Sequence, residues 1–240
     1  MNNKVEVSTG VGTVLDALDY AKQAHDKPGP DGGKATYGNL PYIVHPLLAV
    51  LARLYRGGVI IPQQLAVDAL HDTVEDTDET PDSLREHGFT PAIIGGVAAV
   101  TSENDASRHE KTTKAKNDPL GEGAKLDDAV INLLANKGEL LPHTGSIGDA
   151  VVYSRTVEEL LSGQVRRPEE ILTYLERRGE PAGPLTGAEV RFLIEEVEKR
   201  IQREVYVVPP EERKWIVGSL AVGGRLRHLL SRDPGLIIFH

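Results

Sequence analysis

Apolar positions repeat at helical intervals along most of the chain. Val14, Leu15, Leu18 and Ala21 share a face with His25 and predict a first helix from about Thr13, stopped by Pro28-Gly29-Pro30-Asp31-Gly32-Gly33. A second helix is expected from Pro46 to Tyr55, ended by Gly57-Gly58. A third opens at Pro62, a favoured first-turn residue, and carries Leu65, Ala66, Ala69 and Leu70 towards Val74. Thr80 or Asp82 caps a short helix ending before Gly88, and Pro91 opens a very apolar one over 92–100. Residues 102–123 are polar, have no clear period and are expected as a long loop or mobile helix. Helical spacing returns over 124–136 and 149–161.

The rest of the chain changes character. Pro168-Glu169-Glu170 begins a helix that Gly179 closes, and Glu180 to Gly187 is expected as a linker. Thr186-x-x-Glu189 is a capping box for a long amphipathic helix to about Glu204, and Pro209-Pro210 precedes a last helix around Trp215 to Leu230. Helix after helix with few strand signals predicts an all-α fold. Its expected parts are a helical bundle over 1–162 and a helical C-terminal extension over 163–240, the latter an appended subdomain or a homo-oligomer contact.

Composition narrows the chemistry. The 240 residues are 40% hydrophobic and 26% charged, enough apolar content to bury a core. A formal charge of −9 gives no general reason to bind nucleic acid or an anionic membrane. The chain has no cysteine, so disulfides, thiolate catalysis and sulfur-held metals are excluded, and any transition metal must be held by His, Asp or Glu. The first twelve residues lack an apolar signal-peptide core, and no stretch approaches 18 apolar residues, so a cytoplasmic protein that spans no membrane is expected.

Three segments concentrate reactive side chains: Pro41-Tyr42-Ile43-Val44-His45-Pro46, His71-Asp72-Thr73-Val74-Glu75-Asp76, and Lys125-Leu126-Asp127-Asp128 with Asn132 a turn beyond. On a continuous helix Glu75 lies one turn after His71, and Asp76 one turn after Asp72, which stacks three carboxylates and an imidazole on one side. Like charges packed so closely repel, and a divalent cation is the natural compensation. Imidazole and carboxylate without sulfur suit Mn²⁺, Fe²⁺, Zn²⁺ or Mg²⁺. Taken singly, His71-Asp72 reads as a surface pair, His45 as a half-buried histidine and Asp127-Asp128 as a solvated face; their combination favours a metal centre.

In this order, PYIVHP, LHDTVEDT and KLDDAVINL resemble the HD hydrolase domain of the RelA/SpoT family, and above all its stand-alone members, the small alarmone hydrolases. The resemblance covers about residues 13–162 and implies an HD-domain helical bundle. It implies that His45, His71, Asp72 and Asp128 hold one divalent metal, commonly Mn²⁺, and that Glu75 and Asp76 handle the attacking water. Asn132 matches a residue close to the nucleotide, and Tyr153 a substrate-contacting tyrosine. The activity implied is removal of the 3′-pyrophosphate of (p)ppGpp or a related alarmone such as (p)ppApp.

The sequence also departs from that family. Asp127 stands where the family has alanine. The segment DKPGPDGGKATYGNL replaces a shorter one with an Arg-Lys clamp, leaving Lys27 and Lys34 as its cations, of which Lys34 is the candidate phosphate contact. Arg108, Lys111, Lys114 and Lys116 are alternative cations, or an ordinary solvated face. Two other functions stay open: a different HD phosphohydrolase, such as a nucleotidase or phosphodiesterase, and a non-catalytic nucleotide-binding module.

Overall fold

A computed structural model describes residues 8–28, 35–38, 40–102, 106–137, 147–162, 166–207 and 226–228. The described part is all-helical apart from a two-stranded antiparallel ribbon, β1 (Thr36–Tyr37) and β2 (Leu40–Pro41), which the sequence pattern did not announce. The expected helix around 215–230 lies outside the described residues except for 226–228, which are helical.

Three helices form the centre: α2 (Val44–Arg56), α3 (Pro62–Leu70) and α8 (Pro119–Asn136). Every residue of α3 is buried, as are most of α2 and α8; apolar side chains fill most of their positions, and Asp68, Asp127 and Asp128 are buried among them. α1 (Thr9–Asp26) packs on α3, α6 (Pro91–Val100) on α3 and α8, and α9 (Ile147–Ser162) on α8. Leu65 sits fully buried at the centre. Leu65→Ala is expected to cost about 2–5 kcal/mol of stability, the scale for emptying a closed apolar site. It should read as a lower urea midpoint at unchanged slope; an unmoved midpoint would show that the three helices close over the gap.

Two expectations change. The third helix does not run through to Val74: α3 stops at Leu70, His71-Asp72 form a turn, and a separate α4 covers Thr73–Asp76. Asp72 opens the break with ψ −5°. Of the two alternatives for residues 102–123, a long loop or a mobile helix, the described residues take the helix: α7 spans Arg108–Lys116, and α8 begins at Pro119 rather than near Ala124. α7 buries only Thr112 and Ala115, which is why it shows no apolar period. Its signal was local instead, a capping box of Ser107 and Glu110. Asp118 then caps α8 through the amides of Leu120 and Gly121.

Beyond residue 162, α10 (Pro168–Arg177) and α11 (Gly187–Val207) add Ile171, Leu175, Leu193, Val197, Ile201 and Val205 to the same buried apolar cluster. α11 lies along α2. The segment expected as a linker is docked. Glu180 accepts from the Thr90 hydroxyl and the Ala92 amide at 2.6 Å each, which places a carboxylate on the positive N-terminal end of α6. Leu185 donates its amide to the Ile60 carbonyl at 2.8 Å.

Candidate metal centre and cleft

His45 enters from the first turn of α2, His71 and Asp72 from the turn that ends α3, and Asp128 from the middle of α8. Ligand atoms of His45, His71 and Asp72 lie within 4.8 Å of one another. Asp128 joins them: its Oδ1 is 3.3 Å from His45 Nε2 and 3.8 Å from His71 Nε2. The two imidazole Nε2 atoms face each other at 3.0 Å. His71 Nδ1 meets the Asp68 carbonyl at 2.8 Å, which fixes the ring and leaves Nε2 directed at the cluster.

The electrostatics are those of a site made for positive charge. Burial alone would lower the pKa of His71, but the charge and hydrogen bond of Asp72 outweigh it and push it up to about 10. Burial opposes ionisation of Asp128, and Lys125 together with the two histidines more than reverses this, holding its carboxyl well below the usual range. Asp72 is held down likewise by His71 and His45. Two imidazole nitrogens and two carboxylates converging at one point fit a divalent cation with nitrogen and oxygen preferences. The described residues therefore present a candidate metal site whose donors do not specify the ion.

Asp128, not Asp127, faces this point. Asp127 is fully buried on the other side of α8, paired with Arg53 and Arg56. Glu75 and Asp76 flank the centre in α4. Glu75 Oε2 accepts from the Ser102 amide at 3.0 Å, and its other oxygen lies 3.7 Å from Lys111 Nζ. Asp76 and Asp72 share the Tyr42 hydroxyl, at 2.8 and 2.6 Å. His25 is buried behind Tyr42, ring to ring at 4.5 Å, and burial lowers its pKa to about 4, so it serves as a neutral wall.

A cleft of about 470 Å³ opens above the centre. Asn132 and Tyr153, the two residues expected near the nucleotide, line it, and Asn132 also donates to Asp128 Oδ1. Lys34 lies outside the described residues. Of the alternative cations, Arg108 and Lys111 reach the cleft, with the Arg108 guanidinium 4.6 Å from the centre of the Tyr153 ring. Lys114 and Lys116 turn away to the carbonyls of Thr101 and Glu159. Sequence reasoning gave no role to Lys125, which binds Asp128 Oδ2 at 2.7 Å, nor to Tyr37 and Tyr42. Lys125 and Tyr42 stand inside the quoted motifs, so their position was the available signal.

No family model matches the chain. It is similar to proteins named guanosine-3′,5′-bis(diphosphate) 3′-pyrophosphohydrolase MESH1. The likeness to that of Homo sapiens is 27% identity over 170 residues, covering 68% of this chain and 92% of that protein. To that of Xenopus tropicalis it is 29% over 105 residues, covering 44% of this chain and 56% of that protein, a little over half its length. To that of Mus musculus it is 29% over 125 residues, 50% and 67%. A solved structure of a metazoan ortholog of SpoT that hydrolyses ppGpp matches with 18% identity and a TM-score of 0.48, covering 78% of this chain and 94% of that one. The named relatives support the likeness to HD-domain alarmone hydrolases that the three motifs carry. No helix among the described residues is long and apolar enough to cross a membrane.

Proposed function

We propose that this chain is a metal-dependent phosphohydrolase that removes the 3′-pyrophosphate of (p)ppGpp or a related alarmone such as (p)ppApp. His45, His71, Asp72 and Asp128 would hold the ion, Mn²⁺ by preference. The observation that carries the reading is the convergence of these four side chains at the floor of a cleft that also holds Arg108, Lys111 and Lys125. A bound divalent ion would supply neutralisation of phosphate charge and acidification of a water.

The chain's own residues do the rest. The reaction breaks the bond between the ribose 3′ oxygen and phosphorus; water adds to phosphorus, and the 3′ oxygen leaves as a hydroxyl. Glu75 is oriented by the Ser102 amide and Lys111 so that a carboxylate oxygen takes a proton from the attacking water. Tyr42 holds Asp76 against Asp72, which fixes the second carboxylate beside the same face. Arg108 and Lys111 bring positive charge to the cleft wall for the phosphates, with Lys34 a further candidate cation. Asn132 and Tyr153 present an amide and a ring to the nucleoside.

Incubating the Mn²⁺-loaded chain with ppGpp and ppApp tests the proposal. Release of pyrophosphate with a nucleotide bearing a free 3′-hydroxyl is expected; orthophosphate alone would assign a different HD phosphohydrolase, and no release a binding module. Arg108→Ala should raise KM by about tenfold or more with little change in kcat, because a charge-assisted contact to phosphate is lost in ground and transition states alike. An unchanged KM would move phosphate recognition away from α7.

A further inference from the structure

The same three helices that bring the candidate ligands together are joined a second time, away from the cleft. α2 carries His45 at its start and Arg53 and Arg56 at its end. α3 carries Asp68 one turn before His71, and α8 carries Asp127 directly before Asp128. Arg53 forks onto Asp68, Nε to Oδ2 at 2.6 Å and Nη2 to Oδ1 at 3.3 Å. Arg53 and Arg56 both pair with Asp127. Asp68 and Asp127 are fully buried, and two positive groups face two negative ones.

We infer that this cluster is a brace that presets the metal ligands, and that Asp127 is a positioning residue. The inference rests on the proposed metal-dependent function. Buried ion pairs add little net stability, since desolvation consumes most of the attraction, so stability is a poor reason for four charges here. Position is a better one. Around the brace α8 is smooth, with Gly121, Gly123, Ala124 and Ala129, and residues this small set how closely a helix approaches its neighbours more than how it is turned about its axis. The Arg53 fork on Asp68 does set orientation, because its planar donors accept one orientation of the carboxylate, and the charges of Arg53 and Arg56 draw Asp127 to the same side. Gly123 lets the guanidinium lie against α8: a Cβ there would stand 2.7 Å from Arg53 Nη2 and displace it.

Two short covalent links pass the brace's geometry to the ligands. Successive residues on a helix point about 100° apart, so fixing Asp127 on the Arg53 side turns Asp128 towards the histidines. The Asp68 side chain is held by Arg53 while its carbonyl holds His71 Nδ1 at 2.8 Å, so the fork also fixes the imidazole. The brace thus orients two of the four donors, Asp128 and His71, through the chain itself.

The test is Mn²⁺ affinity of the metal-free full chain, followed by the paramagnetic signal of unbound Mn²⁺, with folding checked by a thermal melt. Arg56→Met with Asp127→Leu removes one charge of each sign and leaves Arg53 paired with Asp68. This double variant is expected to fold and to bind Mn²⁺ about 10- to 100-fold more weakly, the range for losing groups that orient metal ligands. Asp127→Asn should fall between it and the natural chain. A folded double variant with natural Mn²⁺ affinity overturns the brace. If the double variant does not fold, Arg56→Lys replaces it: the charge stays and the planar guanidinium is lost, several-fold weaker binding supports the brace, and unchanged binding overturns it. A natural chain that binds no Mn²⁺ overturns the metal reading and the brace together. One that binds Mn²⁺ but hydrolyses no alarmone overturns the hydrolase reading alone.

Discussion

His71→Ala is expected to abolish Mn²⁺ binding in the micromolar range and to lower alarmone hydrolysis by well over 100-fold, beyond the scale for groups that merely orient a ligand. The ring is held at both nitrogens: Nδ1 is fixed by the Asp68 carbonyl and Nε2 is 2.9 Å from Asp72 and 3.0 Å from His45. Alanine removes one of the converging donors, and the two flanking carboxylates are engaged elsewhere, Glu75 by the Ser102 amide and Asp76 by Tyr42. The effect has a thermodynamic signature independent of turnover. An ion that binds only the folded chain stabilises it by about 2.7 kcal/mol at a concentration 100 times its dissociation constant, so Mn²⁺ should raise the Tm of the natural chain and not that of the variant. A variant whose Tm still climbs with Mn²⁺ would remove His71 from the ligand set.

Glu75→Gln should do the reverse: metal content unchanged, turnover lower by about 10²-fold or more, the usual scale for a lost proton acceptor. Glu75 is absent from the cluster of converging donors, and its oxygens go to Ser102 and Lys111. Glutamine keeps the size and one acceptor for the Ser102 amide, so positioning survives while the carboxylate's affinity for a proton is gone. With KM near its natural value, the loss is confined to the chemical step. Metal loss in this variant would place Glu75 among the ligands and leave the water without an assigned base.

The cluster of candidate ligands was legible because its three segments are short, dense in unusual residues and ordered along the chain. The break between α3 and α4 was not, since Leu70-His71-Asp72-Thr73 contains neither Gly nor Pro and a continuous helix satisfies the same spacing. α7 was lost for a related reason: a helix that buries two small residues has no apolar period, and only Ser107 and Glu110 announce its start. Lys111 and Arg108 came with it, as cations of undecided direction that the fold then aimed into the cleft. Asp127 was visible as a departure from the alanine of the resembling family. Its partners were not, because Arg53 and Arg56 are more than 70 positions away in a helix where terminal basic residues are ordinary.

The carboxylate of Glu180 at the head of α6 has a consequence for where this protein can be cut. α6 ends at Val100, and the next residues deliver the Ser102 amide to Glu75. Every side chain assigned to the reaction lies before residue 162, so the chemistry has an early boundary. The foldable unit ends much later: a chain stopped at 162 would leave the Ala92 amide and Thr90 hydroxyl without their acceptor, and α2 without the apolar stripe of α11. Chemistry and mechanics thus divide the molecule at different points, and a graft of the motif-bearing part into another protein would need a substitute for the strap that seats α6.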